Sequence, residues 1–83
     1  MKIVITQEDV KNNPYYILPD KCPCAIVLQK ALKDQSITTC LSRVTSRTKG
    51  SMGVLNPPFG ARDFRRLQLG EITEFVTEYT PNP

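Results

Sequence analysis

The fold is decided by one stretch of sequence, KCPCAIVLQKAL at residues 21–32, which has the strongest helical periodicity in the chain. Apolar residues recur there at the i, i+4, i+7, i+8 spacing of one buried helix face, namely Cys24, Leu28, Ala31 and Leu32. Pro23 suits the first helical position, because the missing N–H of proline has no helical partner there in any case. We therefore predict a helix from about Pro23 to Lys33 as the centre of the core.

Length and composition limit the class of protein. The 83 residues suffice for a single domain, 1–83, with one modest core. A chain of this size buries only about 60–65% of its unfolded surface, so a homo-oligomer is expected. The net charge of +3 is too weak for a dedicated nucleic-acid binder and of the wrong sign for a DNA mimic.

Hydropathy and cysteine usage bear on location. The longest apolar run, residues 25–28, is far shorter than the about 20 residues that a membrane span requires, so no membrane partner is predicted. No secretory signal follows Met1, and the number of cysteines is odd. This combination indicates reduced thiols in a cytosol.

The other segments predict a small antiparallel sheet with helices on one face. In chain order we predict a strand at 2–6, a short helix capped by Thr6, the main helix, an extended segment at 37–48 and a return strand at 52–55. A helix that begins at Pro58 and stops at Gly70 follows, and then a last strand at 71–79 with Phe75, Thr77 and Tyr79 on one side. Segment 37–48 either carries a bulge near Ser42 or consists of two short strands. The predicted class is α+β, with two main helices and one short helix in the order β-α-α-β-β-α-β.

Catalytic and metal-binding motifs are missing from this pattern. The chain has no histidine, and no pair of carboxylates lies in a setting that would raise a pKa, so an enzyme is not predicted. Cys22, at the start of the main helix, is a candidate reactive thiol or metal ligand. Its spacing from Cys24 and Cys40 does not supply the four ligands of a structural zinc site, and no metal or cofactor is predicted. We predict Cys24 and Cys40 as small buried core residues.

Basic residues form the candidate ligand site. They lie around the hairpin and on the last helix, and they are Arg43, Arg47, Lys49, Arg62, Arg65 and Arg66. Guanidinium groups bind phosphate through two parallel hydrogen bonds, and the free N–H groups after Cys22 offer further donors. If the hairpin and the helix converge, alone or across a dimer, a site for a nucleotide-like anion results. The alternative is a solvated charged surface.

Three groups of residues together resemble a known set of proteins. They are Ile3-Val4-Ile5-Thr6 with Glu8, Cys22-Pro23-Cys24-Ala25 with Ala31-Leu32, and Ala61-Arg62-Asp63-Phe64-Arg65-Arg66-Leu67 with Gly70-Glu71 and Phe75. In this order the chain resembles small, mostly uncharacterised phage and prophage accessory proteins, from which it departs at Cys24 and Gly60. The resemblance implies a viral accessory protein and not an activity. By analogy with small non-enzymatic phage proteins, it is expected to act in the host cytosol by binding and blocking a host component, including immune effectors and their nucleotide signals.

Three functional hypotheses follow. The first is a non-enzymatic phage protein that interferes with host immunity by sequestering a small phosphorylated ligand in the basic site. The second is an inhibitor that binds a host protein directly through Tyr15 and Tyr16, in an irregular segment at 15–21 that is otherwise a loop over the core edge. The third is a weak nucleic-acid-binding accessory protein.

Overall fold

A computed structural model that describes residues 1–83 has five antiparallel strands and three helices. The elements are β1 (Lys2–Thr6), α1 (Gln7–Asn12), α2 (Pro23–Leu32), β2 (Ile37–Cys40), β3 (Arg43–Ser46), β4 (Gly50–Asn56), α3 (Ala61–Gln68) and β5 (Glu74–Pro81). The strands are ordered β1-β5-β4-β3-β2 across the sheet. The predicted α+β class is confirmed. None of the three helices has the length and apolar content needed to cross a bilayer.

Segment 37–48 adopts the second of its two predicted alternatives. It forms two short strands, β2 and β3, joined by a turn in which Leu41 has a left-handed backbone with φ 55°. The register shift lies instead opposite β4, between Val44 and Thr45. The sheet therefore has one strand more than the order β-α-α-β-β-α-β implies.

Helix α2 is the hub of the fold, as its periodicity predicts. It contacts both β1 and β2, the two edge strands, and such contacts require the sheet to curl around the helix. Leu28 and Ala25 have no exposed surface, and Cys24 is also buried. Ala31, predicted on the buried face, is exposed, whereas the next residue, Leu32, is partly buried and packs against the core.

Strand alternation separates the two faces of the sheet. Ile3 and Ile5 of β1 and Thr77 and Tyr79 of β5 point towards the helices and are buried. Their neighbours along the strands, such as Val76, face the opposite side and are exposed. Phe75, Thr77 and Tyr79 share one side of the last strand as predicted, and that side faces the core, although β5 begins at Glu74 rather than at residue 71.

The ends of the short helices follow the capping signals in the sequence. Thr6 caps α1, because its Oγ1 accepts from the Asp9 N–H at 3.2 Å while Asp9 Oδ2 accepts from the Thr6 N–H at 2.8 Å. Gly70 ends α3 at φ 76°, and the next N–H, from Glu71, donates to the Arg66 carbonyl at 2.9 Å. Both predicted termini are thus confirmed.

The predicted start of the last helix is wrong. Helix α3 begins at Ala61, with Gly60 as its N-cap, and not at Pro58. The physical reason is Phe59, which is only 3% exposed and packs edge-on against Phe75 with ring centroids 5.2 Å apart. A helix that began at Pro58 would include Phe59 in its first turn, whereas residues 57–59 form no helix and leave that ring in the core.

Candidate functional site: a basic cleft beside α2

The largest cleft in the molecule has a volume of about 660 Å³ and lies between the loop before α2, the outer face of α2 and the end of β3. It is lined by Asp20, Lys21, Ile26, Gln29, Lys30, Lys33, Gln35, Ser36 and Arg47. Four of these side chains are cationic at neutral pH and one is a carboxylate. The cleft is therefore strongly basic for a protein whose whole chain carries +3.

Gln29 fixes the floor of the cleft. Its Nε2 donates to the Asp20 carbonyl and to the Ile37 carbonyl, each at 2.9 Å. A single α2 side chain thereby fastens the preceding loop and the outer edge of β2. Thr39 of β2 adds a further bond to this loop, since its N–H donates to the Pro19 carbonyl at 3.1 Å. The cleft walls are held in place without any ligand.

Lys33 occupies a backbone position that usually belongs to glycine. It ends α2 in the left-handed region at φ 53°, and the following N–H, from Asp34, donates to the Gln29 carbonyl at 3.0 Å. Gly70 fills the equivalent position in α3. A side chain in this conformation costs about 1–2 kcal/mol relative to the right-handed helix, a cost that glycine avoids. Lys33 therefore lowers the stability of the backbone at this position, while its side chain places an amine at the cleft.

A polar network holds the opposite wall. Asp34 Oδ1 accepts from the Ser36 hydroxyl at 2.6 Å and from the Ser36 N–H at 2.9 Å, and its Oδ2 accepts from the Ser46 hydroxyl at 3.1 Å. Ser46 is buried, and its Oγ also accepts from the Thr48 N–H at 3.2 Å. The Arg47 N–H donates to the Ser36 carbonyl at 3.3 Å. These bonds fix the turn that carries Arg47 against the turn that follows α2.

The network predicts a loss of stability in acid. Hydrogen bonds from the Ser36 hydroxyl and N–H lower the pKa of Asp34. Because the folded-state pKa is the lower one, this stabilisation is present above the unfolded pKa of about 3.9 and is lost as pH falls towards the folded value. We expect Asp34→Asn to be less stable than wild type at pH 7 but to lose less stability between about pH 4 and pH 2 in urea unfolding.

The matched control is Asp20→Asn, whose side chain accepts no hydrogen bond in the structure and which keeps the Asp34 network intact. It should follow the wild-type curve through the acid range. An acid limb in Asp34→Asn as steep as that of wild type would contradict the assigned role of Asp34.

None of the four lining cations is paired. The only ion pairs within 4.0 Å join the Met1 amine to Glu78 and Lys49 to Asp34. The negative end of the α2 dipole stabilises the positive charges of Lys30 and Lys33 at the end of the helix. The helix itself therefore explains why these two cations lie there, and no ligand is needed to explain them. It does not account for Lys21, in the loop before α2, or for Arg47, in the turn that follows β3. The lining cations thus come from three segments, namely the loop before α2, the end of α2 and the turn after β3, which distinguishes this cleft from a solvated helix face.

The residues predicted for the ligand site are not brought together within one chain. Arg47 lines the cleft, and Lys49 lies beside it, with its Nζ 4.0 Å from Asp34 Oδ2. Arg43 is on the opposite, helix-free face of the sheet, where it pairs with Cys40 and Val54.

Helix α3, which carries Arg62, Arg65 and Arg66, packs against α1 and β5 rather than beside the cleft. The start of α2 is not an open anion site either, because Pro23, Cys24 and Ala25 are buried there. The hairpin and helix arginines therefore share no pocket in the monomer.

Sequence reasoning missed three of the four lining cations, Lys21, Lys30 and Lys33. The spacing of the polar residues in α2, including Lys30 and Lys33, is explained equally well by a solvent-exposed helix face. Lys21 lies in the loop before the helix, which has no periodicity to interpret. One signal was present: α2 stops at Lys33-Asp34, where neither glycine nor asparagine supplies the usual left-handed residue.

The three cysteines occupy two different environments. Cys22 and Cys24 are buried, and Cys40 is exposed, so the prediction of a buried Cys40 is wrong. Alternation along β2 explains this, because Ile37 and Thr39 point inward and leave Cys40 on the outer face. Burial raises the pKa of Cys22 despite the opposing hydrogen bonds, and raises that of Cys24 to about 12.

No group of three or more cysteine or carboxylate side chains is arranged to hold a metal ion.

We expect the exposed Cys40 thiol of the native protein to react rapidly with a disulfide reagent at pH 7.5. The two buried thiols should react only on unfolding, because the thiolate is the reactive form. Cys40→Ser should abolish the rapid phase and leave two slow thiols. Two rapid thiols in the native wild type would contradict the assigned burial.

A second, apolar groove lies beside the start of α2. It has a volume of about 270 Å³, and its lining includes Tyr16, Ile17, Leu41 and Phe59. Ile17 is 86% exposed and Leu41 62% exposed at the rim. Tyr16 packs against two phenylalanine rings and is half-buried, whereas Tyr15 is exposed. The two adjacent tyrosines thus differ, and only Tyr15 offers a free ring.

The fold and the cleft together define a small α+β protein whose curled antiparallel sheet carries a basic cleft at one edge. Comparison of the chain with protein-family models, with curated proteins and with solved structures finds no match.

Proposed function

We propose that this chain is a non-enzymatic binding protein that holds a small phosphorylated anion in the basic cleft. One observation carries the proposal: cations from three segments of the chain line one concave surface without ion-pair partners, namely Lys21, Lys30, Lys33 and Arg47. Phosphate oxygens are strong acceptors that suit ammonium and guanidinium donors. The Gln29 and Asp34 bonds hold the walls in place beforehand, which reduces the ordering cost of binding.

The proposal extends to a biological setting. The resemblance to phage and prophage accessory proteins supports a role in the host cytosol, where sequestration of a phosphorylated signal would blunt an immune response. Relative to the sequence-based hypothesis, the proposed site keeps Arg47 and places Lys49 at its edge. The arginines of α3 no longer belong to it.

Calorimetry tests the site with ATP as the probe, in a buffer that contains EDTA and no phosphate. We expect the double variant Lys30→Gln with Arg47→Gln to bind at least about tenfold more weakly than wild type, since charge-assisted hydrogen bonds contribute about 1.5–3 kcal/mol each. The matched control is Arg62→Gln with Arg65→Gln on α3, which should bind within about twofold of wild type. No heat with wild type, or equal losses in both variants, would overturn the proposal.

The substitution Lys33→Gly is expected to increase stability and to weaken binding, so it separates the two effects of this residue. Relief of the left-handed strain, less the entropy that glycine adds to the unfolded chain, should raise the free energy of unfolding by about 0.5–1 kcal/mol. The same substitution removes a cleft cation and should weaken ATP binding several-fold. Leu41→Gly, at the other left-handed residue, is the control and should stabilise the fold with unchanged binding. Unchanged binding in Lys33→Gly would contradict the role of Lys33.

A second candidate function is direct binding of a host protein through the apolar groove. The observation that favours it is the pair Ile17 and Leu41, two large aliphatic side chains that remain exposed on either side of an apolar floor. A partner that presents an apolar side chain would bury both. A host protein that binds both wild type and Arg47→Gln should then fail to bind Ile17→Arg. Binding of that host protein to Ile17→Arg would exclude the groove as its binding site.

We also propose that the chain forms homo-oligomers, as its small core predicts. Only 18 of 83 residues are buried in the monomer, which leaves a modest core to offset chain entropy. Sedimentation equilibrium at micromolar concentration should report a mass above the 9.4 kDa of one chain. A single species of monomer mass up to about 100 μM would contradict this proposal.

A further inference from the structure

The chemistry of the residues that line the cleft indicates which part of a ligand the cleft recognises. Among the nine lining residues, Ile26 is the one hydrophobic side chain, and no aromatic residue is present. The rings of Tyr16, Phe59 and Phe75 lie in the aromatic cluster of the core, and the buried Tyr79 hydroxyl donates to the Met52 carbonyl at 3.2 Å. A nucleobase in the cleft would therefore find no ring on which to stack, although stacking is the common means of holding a base.

Two of the neutral polar side chains in the cleft, Gln29 and Ser36, are already committed to hydrogen bonds within the protein. Side-chain amides are the usual partners of bases, but the Gln29 amide nitrogen already donates to the Asp20 and Ile37 carbonyls. Both of its N–H groups are occupied by these two bonds. The Ser36 hydroxyl is likewise committed, since it donates to Asp34 Oδ1 at 2.6 Å. The donors that remain free are the four cations and the exposed side-chain amide of Gln35, so charged donors predominate.

The balance of charge favours a ligand with several phosphoryl groups. Four lining cations face one lining carboxylate, Asp20, and none of the four is paired. A phosphomonoester carries between −1.5 and −2 charges at pH 7 and would leave part of this excess uncompensated. A chain of two or three phosphoryl groups carries more charge and spreads it along its length, so it can meet cations on opposite walls.

We propose that the cleft recognises a polyphosphate chain of at least two phosphoryl groups and is indifferent to the base or other group attached to it. The inference rests on the proposed function, because it names the ligand class of the same site. It replaces a nucleotide-specific pocket with one selective for the number and spacing of phosphates. Inorganic tripolyphosphate and the triphosphate ends of different nucleotides would then be equivalent ligands.

Calorimetry with a panel of probes tests the inference: inorganic tripolyphosphate, ATP, GTP, CTP and AMP, each in EDTA so that Mg²⁺ does not neutralise the phosphates. We expect the four triphosphates to bind within about threefold of one another, and AMP at least about tenfold more weakly, since each lost charge-assisted contact removes a factor of that order. Arg47→Gln should weaken tripolyphosphate binding more than AMP binding. Arg43→Gln, on the opposite face of the sheet, should change neither.

The outcomes separate the inference from the proposed function. A preference of more than about tenfold for one base, or AMP binding as tightly as ATP, would overturn the polyphosphate inference while leaving a phosphorylated ligand in the cleft. Absence of binding to every probe would overturn the proposed function itself. Equal losses in Arg47→Gln and Arg43→Gln would show that the affinity is diffuse surface attraction and would overturn both.

Discussion

Replacement of Leu28 with alanine is expected to lower the free energy of unfolding by about 2–5 kcal/mol. Leu28 has no exposed surface and lies on α2, the helix that contacts both edge strands of the sheet. The truncated side chain would leave a cavity where the two ends of the curled sheet meet the helix. For a domain with a total stability of about 5–15 kcal/mol, such a loss removes a large part of the margin.

Urea unfolding followed by circular dichroism measures this loss. The matched control is Leu69→Ala, because Leu69 is 60% exposed and its truncation should change stability by no more than about 0.5 kcal/mol. A loss below about 1 kcal/mol in Leu28→Ala would show that α2 is not the hub of the fold.

Gly53→Ala is expected to be similarly severe, by at least about 1–3 kcal/mol. A Cβ at Gly53 would clash with the Thr80 carbonyl oxygen and would lie 2.8 Å from the Pro81 Cα and 2.9 Å from the Tyr79 ring. Two of these three neighbours are backbone atoms of β5, so relief would require the β4–β5 ladder to separate locally. The mutation therefore tests whether β4 and β5 approach as closely as the structure shows.

Thermal unfolding is a suitable measurement, with Gly60→Ala as the control. A Cβ at Gly60 would meet only Asp63 Oδ2, at 3.9 Å, so the expected loss is limited to the about 0.5–1 kcal/mol by which alanine is poorer than glycine at an N-cap. An unchanged melting temperature in Gly53→Ala would contradict the described pairing of β4 with β5.

Those parts of the fold that depend on local chemistry could be predicted from the sequence. The spacing of Cys24 and Leu28 identified the central helix, and Thr6 and Gly70 marked helix ends through the backbone groups that they satisfy. The inward set of β5 followed from simple alternation at Phe75, Thr77 and Tyr79. Each of these signals lies within a few residues of the feature that it predicts.

Features that depend on distant parts of the chain could not be predicted in this way. Phe59 follows two prolines that suggest a helix start, and only the aromatic cluster, which includes Phe75, explains why the chain stays non-helical there. The exposure of Cys40 depends on the phase of β2, which is fixed once Ile37 is buried against α2. A shift of one residue in a strand reverses every side chain.

The residues of the candidate site divide in the same way, into those that the sequence identifies by local chemistry and those that only the fold brings together. Arg47 was identified because guanidinium groups suit phosphate, and that property belongs to the residue alone. Arg47 shares the cleft with Lys21 and Lys30, which reach it because α2 packs against β2 and not through any sequence motif. Arg62 and its neighbours looked equivalent in the sequence, but the fold carries them to α3, away from the cleft.

The central claim is that one basic cleft beside α2 binds phosphorylated anions, and amide chemical-shift mapping with inorganic tripolyphosphate tests it most directly. We predict saturable shifts confined to residues 20–21, 29–36 and 46–49, which form the walls of the cleft and the Asp34 network. Shifts centred on α3 at residues 61–68 or on the turn at 40–43, or no saturable shifts at all, would contradict the account.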